Sequence, residues 1–339
     1  MASEQVPGSE FQFTHSAAAR IATPLFVGIV GPSGTGKTFS ALRLATGMQR
    51  VTGGKIFGID TESNRMLHYA PLPGEKPDPA NGKFDFQHVP FAAPYGSLKY
   101  LAAIQYCVAQ GAKVIVVDSM SHEHDGVGGM LEQHEAEAER LAEKFKSSVD
   151  AMSQSAWAVP KANRRKLINA LLTGTSVNVI SCFRAKKKLK MATKEEKKSG
   201  VDAITSLGFM PIAGEEFMYE QMLKLLLLPG AGGVPTVDPS LPGEKEMTKL
   251  PKQFTHIFDR PAQLSEEVGQ QLAEWAAGGD TKAPGDAEVA DRIAAAKAAS
   301  TIEEHAAVVE SLKGKPWTVQ QRRALTQALN AKKAELNPS

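Results

Sequence analysis

Gly31-Pro32-Ser33-Gly34-Thr35-Gly36-Lys37-Thr38 is the stretch whose residue types and spacing most clearly define a chemistry. It fills every fixed position of G-x-x-x-x-G-K-[ST], the pattern of a loop that wraps a phosphate chain. Glycine at 31, 34 and 36 lets the backbone bend tightly and approach an anion without Cβ clashes. The loop opens a helix, and the unpaired N–H groups of its first turn favour negative charge. Lys37 is expected to reach the β- and γ-phosphates of a nucleoside triphosphate, and Thr38 to offer its hydroxyl to Mg²⁺. A carboxylate opposite Thr38 completes such a metal site, and Asp118 is the candidate. A further acid must orient or deprotonate a water near the γ-phosphate. Asp60-Thr61-Glu62 holds two candidates, of which Glu62 is favoured, although spacing alone does not choose between them.

These residues need a rigid frame, and the sequence predicts one. Leu25-Phe26-Val27-Gly28-Ile29-Val30 reads as a buried strand before the loop, and Phe39–Ala45 as the helix after it. Ile56, Phe57 and Ile59 make a second strand with Asp60 at its carboxyl end, the edge at which ligands bind in open α/β sheets. Val114-Ile115-Val116-Val117 is a fully buried parallel strand that delivers Asp118 to the same edge. Val177–Phe183 is another, with Arg184 at its tip. Further strands are expected at Phe84–Val89 and, unless it is a buried helix, at Met222–Leu228; helices are expected at 96–110, about 130–150 and after Pro160. Ser121–Asp125 with Gly126, Gly128 and Gly129 reads as a mobile glycine loop beside the nucleotide. Adjacent His122, His124 and Asp125 on a loop make a poor metal site. The fold class is therefore α/β, a mostly parallel sheet flanked by helices.

After Arg184 comes the most basic run of the chain: Lys186, Lys187, Lys188, Lys190, Lys194, Lys197 and Lys198. It reads as a flexible loop leaving the sheet at the nucleotide edge, suited to phosphate backbones without base readout. It lacks interleaved aromatics, so base stacking is not expected there. The formal net charge of +2 over 339 residues implies no partner by itself. Cys107 and Cys182 sit in apolar contexts and read as reduced thiols of a cytoplasmic protein. Met1–Ser9 lacks the regions of a signal peptide, and no apolar run is long enough to span a membrane. Residues 1–24 form an arm, 25–277 the core, 278–285 a Gly/Pro linker and 286–339 a small helical module. That module has apolar faces at Val289/Ile293/Ala296, Ile302/Ala306/Val309 and Leu325/Leu329/Leu336, with a cap at Thr318.

The phosphate loop, the Ile59-Asp60-Thr61-Glu62 strand end and the Val114-Ile115-Val116-Val117-Asp118-Ser119 strand together resemble the RecA-like recombinase ATPases, and GPSGTGKT at 31–38, DSMSHEHDG at 118–126, CFRAKK at 182–187 and LSEEVGQQLAEW at 264–275 carry a closer resemblance to one group of them. The closest resemblance is to phage-encoded RecA-type ATPases of the single-strand-annealing and recombination group, over about residues 22–277. It implies a RecA-like P-loop NTPase core that binds ATP and Mg²⁺, hydrolyses ATP with DNA stimulation, and acts on single-stranded DNA in recombination or annealing. Glu62 then activates the water, and Gly31–Thr38, Asp118 and Arg184 bind nucleotide. Lys186, Lys187, Lys188 and Lys190 contact DNA. The resemblance also implies a homo-oligomer, ring or filament, with the C-terminal helices free to meet a recombination partner. Two departures are visible: Phe183-Arg184 replaces the family's Asn-Gln pair, and Phe13-Thr14-His15-Ser16 does not match its Phe-x-x-Ala subunit-joining pattern. The competing readings are another P-loop motor, such as a helicase or packaging ATPase, and a nucleotide-switched binding module with little turnover.

Overall fold

The computed structural model of the protein describes residues 2–5, 12–15, 18, 20–193, 203–278, 286–312 and 319–336. Lys194, Lys197, Lys198, Thr318 and all of the expected linker except Gly278 lie outside them. The chain divides into two compact units, Pro24–Ala273 and a second made of Met1–Thr23 with Glu274–Ser339. In the second, β1 (Ala2–Gln5) and β2 (Gln12–His15) pair as an antiparallel hairpin.

The larger unit runs β3 (Phe26–Gly31), α1 (Lys37–Thr52), β4 (Lys55–Asp60), β5 (Gln87–Pro90), α2 (Ser97–Ala109), β6 (Ala112–Asp118) and α3 (His122–Asp125). It continues with α4 (Met130–Phe145), α5 (Val149–Ala156), α6 (Ala158–Thr173), β7 (Asn178–Met191), β8 (Ile204–Pro211) and α7 (Glu215–Glu220). β9 (Leu223–Leu226), α8 (Pro242–Glu246) and α9 (Glu266–Ala276) follow. Six strands in the order β5-β4-β6-β7-β3-β9 pair in parallel, and β8 adds antiparallel to β7, giving seven. This is the α/β architecture of a P-loop NTPase core.

The central strands are buried on both faces, which is why they read as unbroken apolar runs. Alternation splits their side chains. Phe26, Val30, Phe57, Ile59, Ile115, Val117, Val179 and Phe183 pack with Tyr100, Ile104 and Cys107 of α2, Leu167, Ile168 and Leu171 of α6, and Phe217 of α7. On the opposite face α1 buries Ala41, Leu42, Leu44, Ala45 and Met48. α9 crosses α1 at a glycine contact. A Cβ on Gly47 would stand 1.9 Å from the Glu266 carbonyl oxygen, and one on Gly269 would stand 2.1 Å from that of Leu44. Arg43 clamps the crossing with two-pronged bonds to Glu266.

Four local expectations change. Lys186, Lys187, Lys188 and Lys190 are not in a loop: β7 runs on to Met191 and pairs with β8, from Ala185↔Pro211 to Met191↔Ile204. The lysines hid this, because a two-stranded ribbon outside the core needs no apolar alternation. The strand expected at Phe84–Val89 is shifted to Gln87–Pro90, because Phe84 is spent on core packing against Phe39. His122–Asp125 is a helical turn rather than a mobile loop, anchored by Glu123, which is 1% exposed. Pro160 does not break α6, since in the first turn its missing N–H has no intrahelical partner to lose. Met222–Leu228 contains a strand, as one of its two readings expected, and it lies parallel beside β3.

In the second unit, α10 (Asp286–Ala298), α11 (Ile302–Leu312) and α12 (Val319–Leu336) meet at Val289 and Leu325, with Ile293 and Leu312 partly buried against them. Ile302 and Val309, expected to line a core, stand 55% and 37% exposed. No helix among the described residues is long and apolar enough to cross a membrane.

Candidate nucleotide site

The strand register brings the candidate residues to one level. Asp60 of β4 pairs with Asp118 of β6, Asp118 with Cys182 of β7, and Gly31 of β3 with Arg184 of β7. Parallel strands in register end together, so four separate segments of sequence meet at one sheet edge.

The loop from Gly31 to Lys37 is shaped by its glycines. A Cβ at Gly31 would lie 2.5 Å from the Leu227 carbonyl oxygen, and Gly34 and Gly36 take φ of +80° and +86°. Thr35 donates its hydroxyl to the Pro32 carbonyl at 3.0 Å, and Lys37 Nζ donates to the same oxygen at 2.7 Å. Gly36 occupies the N-cap position of α1, where no side chain caps the helix and no acid stands in its first turn. The first-turn N–H groups thus remain available to an anion. Burial pushes the Lys37 ammonium below its usual pKa, opposed by the nearby Asp118 and Glu62 carboxylates. A phosphate chain in the loop would stabilise its charged form.

Thr38 donates its hydroxyl to Asp118 Oδ2. Asp118 is 6% exposed, and burial pushes its carboxyl up to about 6 from the ordinary 3.8, although the Thr38 hydrogen bond opposes this. A hydroxyl and a carboxylate in contact, both hard oxygen donors, fit a Mg²⁺ that keeps most of its waters. An uncapped glycine cradle with a buried cation beside it fits a triphosphate. Among the described residues no group of three His, Cys, Asp or Glu side chains forms a metal cluster, so His122, His124 and Asp125 do not make one.

The two acids after β4 part company. Asp60 accepts the N–H groups of Glu62 at 2.8 Å and Met66 at 3.0 Å, and lies 3.2 Å from His88 Nε2. Its carboxylate holds the turn. Glu62 is freer, with its side chain 22% exposed, 3.8 Å from Arg65 and 4.0 Å from His122. Arg184 donates its backbone N–H to Ser121 Oγ at 2.8 Å and Nη2 to Asp125 Oδ1 at 2.9 Å. Its buried Nε has no hydrogen-bond partner among the described residues. Lys186, Lys187, Lys188 and Lys190 are exposed along β7 beyond this edge, with Lys186, Lys188 and Lys190 alternating onto one face of the ribbon.

Sequence reasoning missed three features. Glu123 and Arg164 form a buried pair at 2.6 Å, their side chains 1% and 3% exposed, with Ser97 donating to Glu123 at 2.5 Å. The signal was present: Arg164 precedes Leu167, Ile168 and Leu171 at helical spacing and so shares their buried face. A cleft of about 140 Å³ opens beside Gly34–Gly36, lined also by Arg43, Gly232, Gly233 and Gln263. Its far wall comes from a loop with no motif. The third is His122, whose Nδ1 lies 2.7 Å from the Thr61 hydroxyl.

The model of a family described as an AAA domain matches residues 23–212. The match covers more than half of the 339 residues and takes in every candidate site residue named above from Gly31 to Lys190. No curated protein matches the chain.

Proposed function

Because this chain belongs to the AAA domain family and is a P-loop AAA-type ATPase, we propose that it hydrolyses Mg²⁺-bound ATP at the β3–β6 edge and couples hydrolysis to single-stranded DNA. The observation that carries the reading is the convergence of the uncapped glycine loop, the Thr38–Asp118 contact, Glu62 and Arg184 on one sheet edge. In this reading the loop N–H groups and Lys37 bind the β- and γ-phosphates. Thr38 and Asp118 would hold Mg²⁺, which would supply positive charge to neutralise the phosphate oxygens. Glu62 orients the attacking water and takes its proton. The cleft lined by Gly232, Gly233 and Gln263 lies beside the loop and receives the nucleoside end.

The DNA half of the proposal rests on the basic ribbon. β7 carries nucleotide-edge Arg184 and the exposed lysines on one continuous strand, so a shift at one end is transmitted stiffly to the other. Alternate lysines on a strand recur every ~6.8 Å, a repeat suited to successive backbone phosphates. Arg184, held now by Asp125, couples the two ends by turning its buried, unpartnered Nε toward the γ-phosphate. Together with the resemblance of four motifs to those of phage recombination ATPases, this favours recombination or strand annealing as the setting.

The test is ATP hydrolysis by the purified protein without DNA, with single-stranded DNA and with duplex DNA, using Lys37→Ala as the blank. Turnover that depends on Lys37 and rises mainly with single strands is expected. Turnover unchanged in Lys37→Ala would refute the site, and equal rates in all three conditions would remove DNA from the mechanism.

A further inference from the structure

We propose that His122 is a positioning residue that holds the Glu62 carboxylate toward the γ-phosphate side of the site through its Nε2–H. The inference rests on the reading of Glu62 as the water-orienting acid and adds a residue to it.

Contacts at Nδ1 and on the face of the imidazole place the ring. Thr61 Oγ1 accepts the Ser119 N–H at 2.7 Å, so its own proton must go elsewhere. His122 Nδ1 lies 2.7 Å from that oxygen, whereas the Ser119 carbonyl oxygen is farther, at 3.2 Å. In this proposal the hydroxyl donates along the shorter of the two contacts, to Nδ1, which makes that nitrogen the acceptor and leaves the ring proton on Nε2. Nε2 lies 4.0 Å from Glu62 Oε1. That is too long for a hydrogen bond in the nucleotide-free protein, but contacts of this kind tighten when substrate binds. Tyr95 stacks on the imidazole at 4.8 Å between ring centres and 23° between planes, which removes the ring's freedom to tilt away. Tyr95 is itself stacked on Phe91, whose N–H is bonded to the Asp60 carbonyl. The imidazole is thereby tied by contacts to the same strand end that carries Glu62.

Burial lowers the His122 pKa, and nearby Arg184 lowers it further, so the ring is a neutral donor at neutral pH. Two neighbours of His122 on the same turn are committed elsewhere, Glu123 to Arg164 and Asp125 to Arg184. Their ties fix the turn, and with it the distance from His122 to Glu62.

Steady-state hydrolysis by the full chain separates positioning from structure. His122→Phe keeps a ring against Tyr95 and removes both nitrogens; kcat is expected to fall roughly 10- to 100-fold. KM for ATP is expected to stay within about two-fold, because the group acts after binding. His122→Gln places an amide N–H near the Nε2 position and should recover most of kcat. His122→Asn, polar but too short to reach, should not, and this pair keeps the test valid if the Phe variant misfolds. On a Glu62→Gln background the further loss from His122→Asn should vanish, since nothing remains to position. Wild-type kcat in His122→Asn alongside lost hydrolysis in Glu62→Gln overturns this inference and spares the Glu62 assignment. A His122 loss of undiminished size on the Glu62→Gln background also overturns it. Normal hydrolysis in Glu62→Gln instead refutes the water-orienting assignment itself.

Discussion

Asp118→Asn should make the nucleotide-free protein more stable while abolishing the Mg²⁺-dependent turnover proposed above. The Asp118 carboxyl sits at about 6 in the fold against 3.8 ordinarily, chiefly because burial disfavours its charge. A folded-state value raised above the unfolded one contributes stability that is complete below the unfolded value and is lost as pH rises through the folded one. Above about pH 7, therefore, the ionised group costs roughly 3 kcal/mol. Asparagine removes that cost and keeps an acceptor for the Thr38 hydroxyl; the charge-assisted bond it gives up is already counted in the raised value. The net gain at pH 8 is roughly 2–3 kcal/mol, which raises Tm by several degrees in a domain of this size. Thermal melts of both proteins without nucleotide at pH 5 and pH 8 check this. Wild type should gain roughly 1 kcal/mol between pH 7 and pH 5 from this group, and the variant should lack that component. The stabilisation by Mg²⁺ with ADP expected of wild type should be absent from Asp118→Asn. A variant no more stable than wild type at pH 8, with the same pH dependence, would refute the argument that burial controls this carboxyl.

Three other outcomes follow from the packing and charge described above. Arg164→Met strands a buried Glu123 carboxylate and should cost about 3–5 kcal/mol, whereas the double variant with Glu123→Gln should recover most of it; chemical denaturation showing equal losses in both would mean that the pair is not the determinant. Gly47→Val forces a side chain into the Glu266 backbone at the α1–α9 crossing and should destabilise by about 1–3 kcal/mol; an unchanged melting temperature would show that the crossing is loose. Neutralising Lys186, Lys188 and Lys190 to Gln should flatten the slope of log affinity against log salt for single-stranded DNA by about 2, and an unaltered slope measured by fluorescence anisotropy would remove these lysines from the interface.

The glycine loop, the buried strands on either side of it and the acid-tipped strand at Asp118 were legible because local chemistry dictates them. A phosphate cradle needs glycine at fixed spacing, and a strand buried on both faces must be apolar throughout. The β7–β8 ribbon was illegible for the converse reason. Its outer half faces solvent on both sides, so its lysines carry no burial pattern, and only pairing with Ile204–Pro211 makes a strand of them. His122 and Glu123 read from the sequence as part of one glycine-containing loop. Nothing in their spacing says that one faces the Glu62 carboxylate and the other a guanidinium from a helix more than thirty residues away.

The sequence by itself determined the fold class, the glycine-loop pattern and the acid at the tip of the strand ending in Asp118, because each follows from residues a few positions apart along one strand or turn, whereas the contact of Thr38 with Asp118 joins segments 80 residues apart. Tertiary structure alone distinguishes the surroundings of Asp60 from those of Glu62. The two share a strand end, and only the folded turn shows the Asp60 oxygens consumed by the N–H groups of Glu62 and Met66 while Glu62 stays free. It also decided the protonation of Asp118 and the partners of Arg164 and Arg184. Those depend on how far water is excluded and on which distant segments arrive at the same sheet edge, and neither quantity is written in the order of residues.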